Sequence, residues 1–131
     1  MWSLLLKHDD LEKLKASRFR RSWHLDDFDR KRISAIGLQE LKKHAEAIVE
    51  QRLKTKPEND GEQTPYKGHP VFKAMHATAT CCRGCLFSWH RIPPYKTLDE
   101  KEVKFVVYLI MRWINKEIFS QDGTLMPYLL R

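Results

Sequence analysis

The amino-acid sequence predicts an all-α protein: a single compact domain of five to six helices with one long polar loop at about residues 55–69. Apolar residues recur three and four positions apart in several stretches, as they do on one face of a helix. No stretch alternates between apolar and polar residues as a half-buried strand does. The 131 residues, 42% hydrophobic and 31% charged, suit one globular domain spanning 1–131.

Acidic pairs and one glycine mark the first three helices. The aspartates at 9–10 can cap a short helix that ends near Lys15, and those at 26–27 can cap a helix that ends before Gly37. The run SRFRRSWHL between them is predicted to be a connector. Leu38 to Lys54 then carries the clearest helical spacing, with charged residues on its wet face.

Prolines and a capping pattern mark the later elements. The run TKPENDGEQTPYKGHP at 55–70 holds three prolines and two glycines, so it must be a loop. The predicted helices then run from Pro70 to about Thr78, from near Thr80 to a point before Ile92, and from Thr97 to about Phe119. Thr97 and Glu100 have the spacing of a capping box.

The positive net charge of the chain favours a negatively charged partner. The net charge is +7, and basic residues alternate with Phe19 and Trp23, a pattern that suits a phosphate backbone with stacked bases. The candidate residues for binding nucleic acid or another polyanion are Arg18, Arg20, Arg21, Arg30, Lys31 and Arg32. A solvated basic face is the alternative. Apolar runs are too short to span a membrane, and no signal-peptide pattern is present, so we expect a cytoplasmic protein without membrane contact.

The run HATATCCRGCLFSWH at 76–90 contains all three cysteines. Cys82 and Cys85 have the C-x2-C spacing of a zinc half-site. His69 and His76 lie on one face of the preceding predicted helix, which a turn at 78–80 can fold against the cysteines. The sequence thus predicts a tetrahedral zinc site made of His69, His76, Cys82 and Cys85. The role of Cys81 stays open.

Two other interpretations of the run remain open, and with them the question of whether the protein is an enzyme. The cysteines can be plain core, because free cysteine is often buried. Alternatively, a metal- or cysteine-dependent enzyme of hydrolase type has its site in the 59–90 region, with Cys82, Asp60 and His90 as candidate catalytic residues. A protein-interaction adaptor with a buried cysteine core is a further possibility. Substrate and oligomeric state are not predicted.

The run NDGEQTPYKGHPVFKAMHATATCCRGCLFSWHRIP at 59–93 resembles a family of small bacterial proteins known only as a domain of unknown function. The resemblance extends upstream through SRFR and HL, and downstream through IMRWI, so it covers about residues 10–118. It implies a shared fold and a shared site, without a reaction. Residues 120–131 are then expected to be a C-terminal extension.

Overall fold

The computed structural model describes residues 11–120, whose regular structure is entirely helical. A 3-10 turn at Lys13–Ala16 precedes six α-helices. They are α1 (Arg18–Arg21), α2 (Asp27–Ile36), α3 (Leu38–Arg52), α4 (Pro70–Ala77), α5 (Arg83–His90) and α6 (Glu100–Ser120). No residue in the range 11–120 forms a β-strand, so the prediction of an all-α fold with five to six helices is confirmed.

Local signals set the ends of α2 as predicted. The Asp26 side chain accepts from the Asp29 N–H, and the Asp29 side chain accepts in return from the Asp26 N–H, which makes a reciprocal capping box. Gly37 ends the helix at a φ of 86°, a backbone angle that side-chain-bearing residues rarely adopt. α3 follows at once and ends at Arg52, slightly before the predicted end.

The start of α6 differs from the prediction. The capping box is formed by Asp99 and Glu102, whose side chains accept from each other's backbone N–H groups at 2.8 and 2.9 Å. The box predicted at Thr97 and Glu100 is therefore wrong. Asp and Thr both serve as caps, and the sequence offers the same spacing twice, so local rules alone do not choose.

The predicted connector also holds an unexpected turn of helix. Ser17 caps α1 by accepting from the Arg20 N–H at 3.2 Å, and Arg20 is half-buried. The predicted cap at residues 9–10 and the predicted extension at 120–131 lie outside the residues whose side chains are described, so those two remain predictions.

The core forms where α6 packs against α3 and α4. Both long helices place apolar residues four positions apart on the inner face, and each fully buried Leu or Ile contributes roughly 1.5–3 kcal/mol. The fully buried members include Leu41, Ala45 and Val49 of α3 and Val106, Ile110, Ile114 and Ile118 of α6. Within the described range, no helix is both long and apolar enough to traverse a bilayer.

The polar loop between α3 and α4 is fastened to the domain at several points. Arg52 donates to the Gln63 carbonyl at 2.7 Å, and the Thr64 hydroxyl donates to the Cys81 carbonyl at 2.8 Å. Thr64 is itself buried. The loop is thus part of the wall around the cysteines, and it positions the site described next.

Candidate metal centre

A buried turn between α4 and α5 presents the cysteines. Ala79 has a φ of 58°, in the left-handed region, and this reverses the chain. The Thr78 hydroxyl donates to the Ala74 carbonyl at 2.7 Å and lies 3.0 Å from the Thr80 hydroxyl. Thr80 is thus occupied inside the turn, and α5 begins at Arg83 and not near Thr80 as predicted. Cys82 is the cap, and its Sγ accepts from the Cys85 N–H at 3.4 Å.

The three cysteine side chains converge at the N-terminus of α5. Their Sγ atoms all lie within 4.8 Å of one another, and those of Cys81 and Cys85 are 3.7 Å apart. Cys81 and Cys82 are buried, Cys85 is partly exposed, and all three are free thiols. Three cysteines this close could hold a metal ion, since clustered thiolates favour soft and borderline metals.

Arg20 of α1 reaches across to the same cluster. Its Nη2 donates to the Cys85 Sγ at 3.1 Å, and its Nη1 lies 3.6 Å from the Cys81 Sγ and 2.7 Å from the His76 carbonyl oxygen. A guanidinium in this position offsets negative charge on the sulfurs. No local pattern indicates this contact, because Arg20 lies in a basic run more than sixty residues from Cys85.

The pKa values of Cys81 and Cys85 are shifted in opposite directions. Hydrogen bonds from the Cys81 and Cys82 thiols, together with the charge of Arg20, lower the pKa of Cys85 to about 2. Hydrogen bonds to Cys82 and Cys85, and burial, raise the pKa of Cys81 well above its ordinary value. The neighbouring thiols and the Arg20 charge thus favour the thiolate form at Cys85, whereas the neighbouring sulfurs and burial favour the neutral thiol at Cys81.

Asp60 from the long loop closes the other side of the α5 N-terminus. Its two carboxylate oxygens accept from the Arg83 N–H at 3.0 Å and from the Gly84 N–H at 2.9 Å. Gln63 donates a third hydrogen bond to it at 2.6 Å. Asp60 was predicted as a catalytic candidate, and the structure uses both of its oxygens as helix-capping acceptors.

His76 lies beside the cluster in a stack of rings. Its Nε2 lies 3.1 and 3.2 Å from the carbonyl oxygens of Thr64 and Pro65. Carbonyls only accept, so Nε2 carries the proton and Nδ1 carries the lone pair. That Nδ1 is buried and has no hydrogen-bond partner among residues 11–120. Burial lowers the pKa of His76, which keeps the imidazole neutral.

His69 lies at the opposite end of α4, and the predicted ligand set is revised accordingly. His69 and His76 are seven residues apart, which is about 10 Å along a helix axis and too far for one ion to bridge. The Val71 N–H donates to the His69 Nδ1, and the His69 Nε2–H donates to the His44 Nδ1 at 3.1 Å. Burial, Arg32 and His44 lower the pKa of His69 to about 4.

The remaining catalytic candidates do not form a triad. His90 is buried at the far end of α5, where its Nε2–H donates to the Thr78 carbonyl at 2.7 Å. Cys82 and Asp60 meet at the N-terminus, and both serve as acceptors for helix N–H groups. Of the predicted site residues, the structure therefore groups Cys82 and Cys85 and adds Cys81, whose role the sequence left open.

The basic run predicted to bind nucleic acid is divided by the fold. Arg20 faces the thiols, and Arg30 is only 3% exposed because it donates to the carbonyls of Leu25 and Glu117. Neither guanidinium is placed to contact a phosphate backbone. The exposed members are Arg18, Arg21 and Lys31, while Arg32 is half-buried and donates to the Gly68 carbonyl.

Comparisons with known proteins agree with the resemblance seen in the sequence. No solved structure matches the chain. The family described as "Domain of unknown function (DUF4186)" matches residues 8–115, which includes the loop, both helices of the site and Arg20. Because that match spans most of the chain, the protein belongs to this family of unknown function.

Proposed function

We propose that the protein binds one zinc ion through the thiolates of Cys81, Cys82 and Cys85, with the His76 Nδ1 as fourth ligand, and that this ion locks the loop and helices together. The observation that carries the proposal is the meeting of three sulfurs within 4.8 Å at one helix N-terminus. The set differs from the one predicted from sequence by the exchange of His69 for Cys81.

The sulfur spacing fits a tetrahedral ion. With Zn–S bonds of about 2.3 Å, tetrahedral geometry places two sulfur ligands about 3.8 Å apart. The Cys81 and Cys85 sulfurs are 3.7 Å apart. The third sulfur lies within the same 4.8 Å group, so closing the site requires side-chain adjustment and no movement of the fold.

The surroundings offset the charge of such a site. Three thiolates and one Zn²⁺ leave a net charge of −1. The Arg20 guanidinium against two of the sulfurs and the N-terminus of α5 both favour negative charge at this point. The Cys85 N–H bonded to the Cys82 Sγ adds a donor of the kind that thiolate ligands accept.

His76 has the arrangement of a metal-ligating imidazole. Such histidines donate their second ring N–H to a carbonyl or carboxylate, which fixes the tautomer and the ring orientation. His76 is 4% exposed, donates through Nε2 to the loop, and keeps an unpartnered Nδ1 lone pair within the described part of the chain. Nδ1 lies outside the 4.8 Å group, so ligation brings the ring toward the sulfurs.

The experiment is elemental analysis of the full chain, purified without a metal-binding affinity tag. We expect one zinc per chain, and loss of most of it in Cys81→Ser, Cys82→Ser and Cys85→Ser. In the Co²⁺-substituted protein, His76→Gln should shift the d–d absorption bands because one nitrogen ligand is lost. His90→Gln is the matched control, because His90 is equally buried and has the same pattern of one bonded and one unpartnered ring nitrogen.

Three results would contradict the proposal. A wild-type protein that takes up no zinc removes it, and so does zinc that all three serine variants retain. If His76→Gln and His90→Gln leave the cobalt spectrum equally unchanged, His76 is not a ligand. The three thiolates then hold an ion with an open fourth position.

A cysteine nucleophile is the second candidate, favoured by one observation. Cys85 is the partly exposed member of the cluster and its thiolate contacts the Arg20 guanidinium, an environment that activates thiols. Fast alkylation of Cys85 alone, in a wild-type protein free of metal, would support this function. Protection of all three thiols by zinc would support the metal centre.

A further inference from the structure

A second region of the molecule, away from the thiols, exposes two aromatic rings toward one groove. Phe28 at the start of α2 is 71% exposed, and Tyr66 of the long loop is 61% exposed. They flank a groove of about 490 Å³ between α2 and the loop. Exposed aromatic rings are costly in water and mark binding surfaces when they cluster. The metal centre does not use this groove.

Tyr66 is the most exposed of three nearly parallel rings that lie close together, the other two being Trp23 and His76. Its plane is within 5° of the Trp23 plane at a centroid distance of 6.0 Å, and within 11° of the His76 plane at 4.5 Å. The other two rings hold Tyr66 in a fixed orientation while much of its surface stays in water. A flat heteroaromatic group that enters the groove can therefore stack on Tyr66 at little cost in side-chain ordering.

Positive charge surrounds the rings. Arg32 and Lys67 line the groove, and Lys31 is exposed on the same helix as Phe28. Two carboxylates also line it, those of Asp26 and Asp29, but both are paired with Lys73 and used in the cap of α2. The balance is positive, as it is for the whole chain at +7.

From these observations we infer that the groove binds single-stranded nucleic acid. Bases stack on Tyr66 and Phe28, and the phosphates contact Lys31, Arg32 and Lys67. Stacking platforms with a basic rim bind single strands with little dependence on sequence. A duplex keeps its bases inside its own stack, so it cannot use the rings. This interface replaces the predicted one, in which Arg20 and Arg30 were included.

The test is fluorescence anisotropy with the full chain and labelled oligonucleotides of about 12 nucleotides, a length within the range of such sites. The probes are a poly-dT strand, a poly-U strand and a duplex of equal length. Phe28→Ala should weaken single-strand binding by about tenfold, which is the usual loss for one stacked base. Tyr95→Ala is the matched control, since Tyr95 is 85% exposed and is not among the residues lining the groove.

Two further measurements separate stacking from plain charge. Tyr66→Ala should weaken binding by about as much as Phe28→Ala. Lys67→Gln should reduce the slope of log affinity against log salt by about 0.7, the value for one phosphate contact on a single strand. The zinc content of Phe28→Ala should equal that of the wild type, because Phe28 lies outside the cysteine cluster and outside the group of rings that includes His76.

Three outcomes would overturn the inference. The first is that the wild type binds neither single strand at about 50 mM salt, where phosphate contacts are strong. The second is that Phe28→Ala and Tyr95→Ala bind single strands with the same affinity. The third is that the duplex binds as tightly as the single strands. A wild-type protein that takes up no zinc, but whose single-strand binding still depends on Phe28, would count against the metal centre and not against the groove.

Discussion

The two ends of α5 are held in different ways. At the N-terminus, a side chain of the long loop caps the helix: the Asp60 carboxylate accepts from the Arg83 and Gly84 N–H groups. At the C-terminus, the backbone closes on itself. Arg91 takes a left-handed φ of 60°, its N–H donates to the Phe87 carbonyl, and the next N–H donates to the Leu86 carbonyl. The left-handed Arg91 and its bond to Phe87 make this an αL ending built from local geometry.

The difference explains where the chemistry lies. Unpaired N–H groups at a helix start attract negative charge, so the N-terminus of α5 gathers a carboxylate on one side and thiols on the other. At the C-terminus the backbone carbonyls already accept hydrogen bonds from the backbone itself. Two apolar side chains, Ile92 and Leu86, are buried there. We therefore expect substitutions at the N-terminal end to be the more damaging, and the predictions below run from the largest effect to the smallest.

The largest loss is expected for Arg83→Met, just inside the N-terminus. Arg83 is fully buried and its guanidinium donates to four carbonyls, those of Leu53, Lys54, Pro93 and Lys96. These bonds tie the end of α3 to the segment after α5. Leaving several buried acceptors unpaired should cost about 4 kcal/mol or more in the free energy of unfolding. Urea unfolding measures this loss.

Two variants make the Arg83 result specific. Arg83→Lys keeps the charge but not the fork, so it should fall between Arg83→Met and the wild type. Arg18→Ala removes an exposed arginine and should change the free energy of unfolding by less than about 0.5 kcal/mol. If Arg83→Met unfolds at the same urea concentration as Arg18→Ala, the four-carbonyl bond network does not stabilise the fold.

Asp60→Ala should be next in size. It removes two charge-assisted bonds to the N-terminus of α5 and the bond from Gln63, and we expect a loss of about 3 kcal/mol. Asp99→Ala is the comparison, because Asp99 accepts one N–H at the start of α6 and its loss should cost about 1 kcal/mol. Equal losses would mean that anchoring the loop adds nothing beyond a single helix cap.

The ends of α5 also show what the sequence could predict. C-x2-C spacing and helical periodicity were enough to place Cys82 and Cys85 together, because both signals are local. The start of α5 was predicted too early, near Thr80, since nothing local shows that the Thr80 N–H bonds back to the Met75 carbonyl. The ends of α2 and α3 were predicted within two residues, because Asp26 marks the start of α2 and Gly37 marks its end and the start of α3.

The partners of the site came from far along the chain and were not predictable. Arg20 was assigned to a basic surface, although its guanidinium contacts the Cys85 sulfur. His69 was assigned to the metal because it shares a helix face with His76, but a shared face says nothing about axial distance. Tertiary contacts of this kind depend on how helices pack, which single-sequence patterns do not encode.

At the C-terminal end of α5, His90 should make stability depend on pH. Burial lowers the pKa of His90 to about 4; the bond to Thr78 opposes this shift, and the charges of Lys13 and Arg20 add to it. In the unfolded chain the imidazole binds a proton near pH 6.5. The unfolded state therefore holds more protons between about pH 6.5 and 4, and stability falls as the pH falls through that window.

The expected size is about 2 kcal/mol between pH 7 and 5 for this one group. His90→Gln keeps a donor for the Thr78 carbonyl and cannot titrate, so it should lose about 2 kcal/mol less than the wild type over the same range. Taking the difference between the two proteins cancels losses common to both, such as release of a metal in acid.

The smallest effect should be a gain, at Arg91. A residue with a side chain costs roughly 1 kcal/mol in the left-handed region, and glycine avoids that cost. Arg91 is exposed, so Arg91→Gly removes no buried contact and should stabilise the protein by about 0.5–1 kcal/mol, or about 2–4 °C in Tm. Arg91→Ala keeps the strained angle and should give no gain. If glycine and alanine behave alike, the backbone angle does not limit this end of the helix. The stability of the C-terminal end then does not come from its backbone conformation, and only the N-terminal side of the comparison holds.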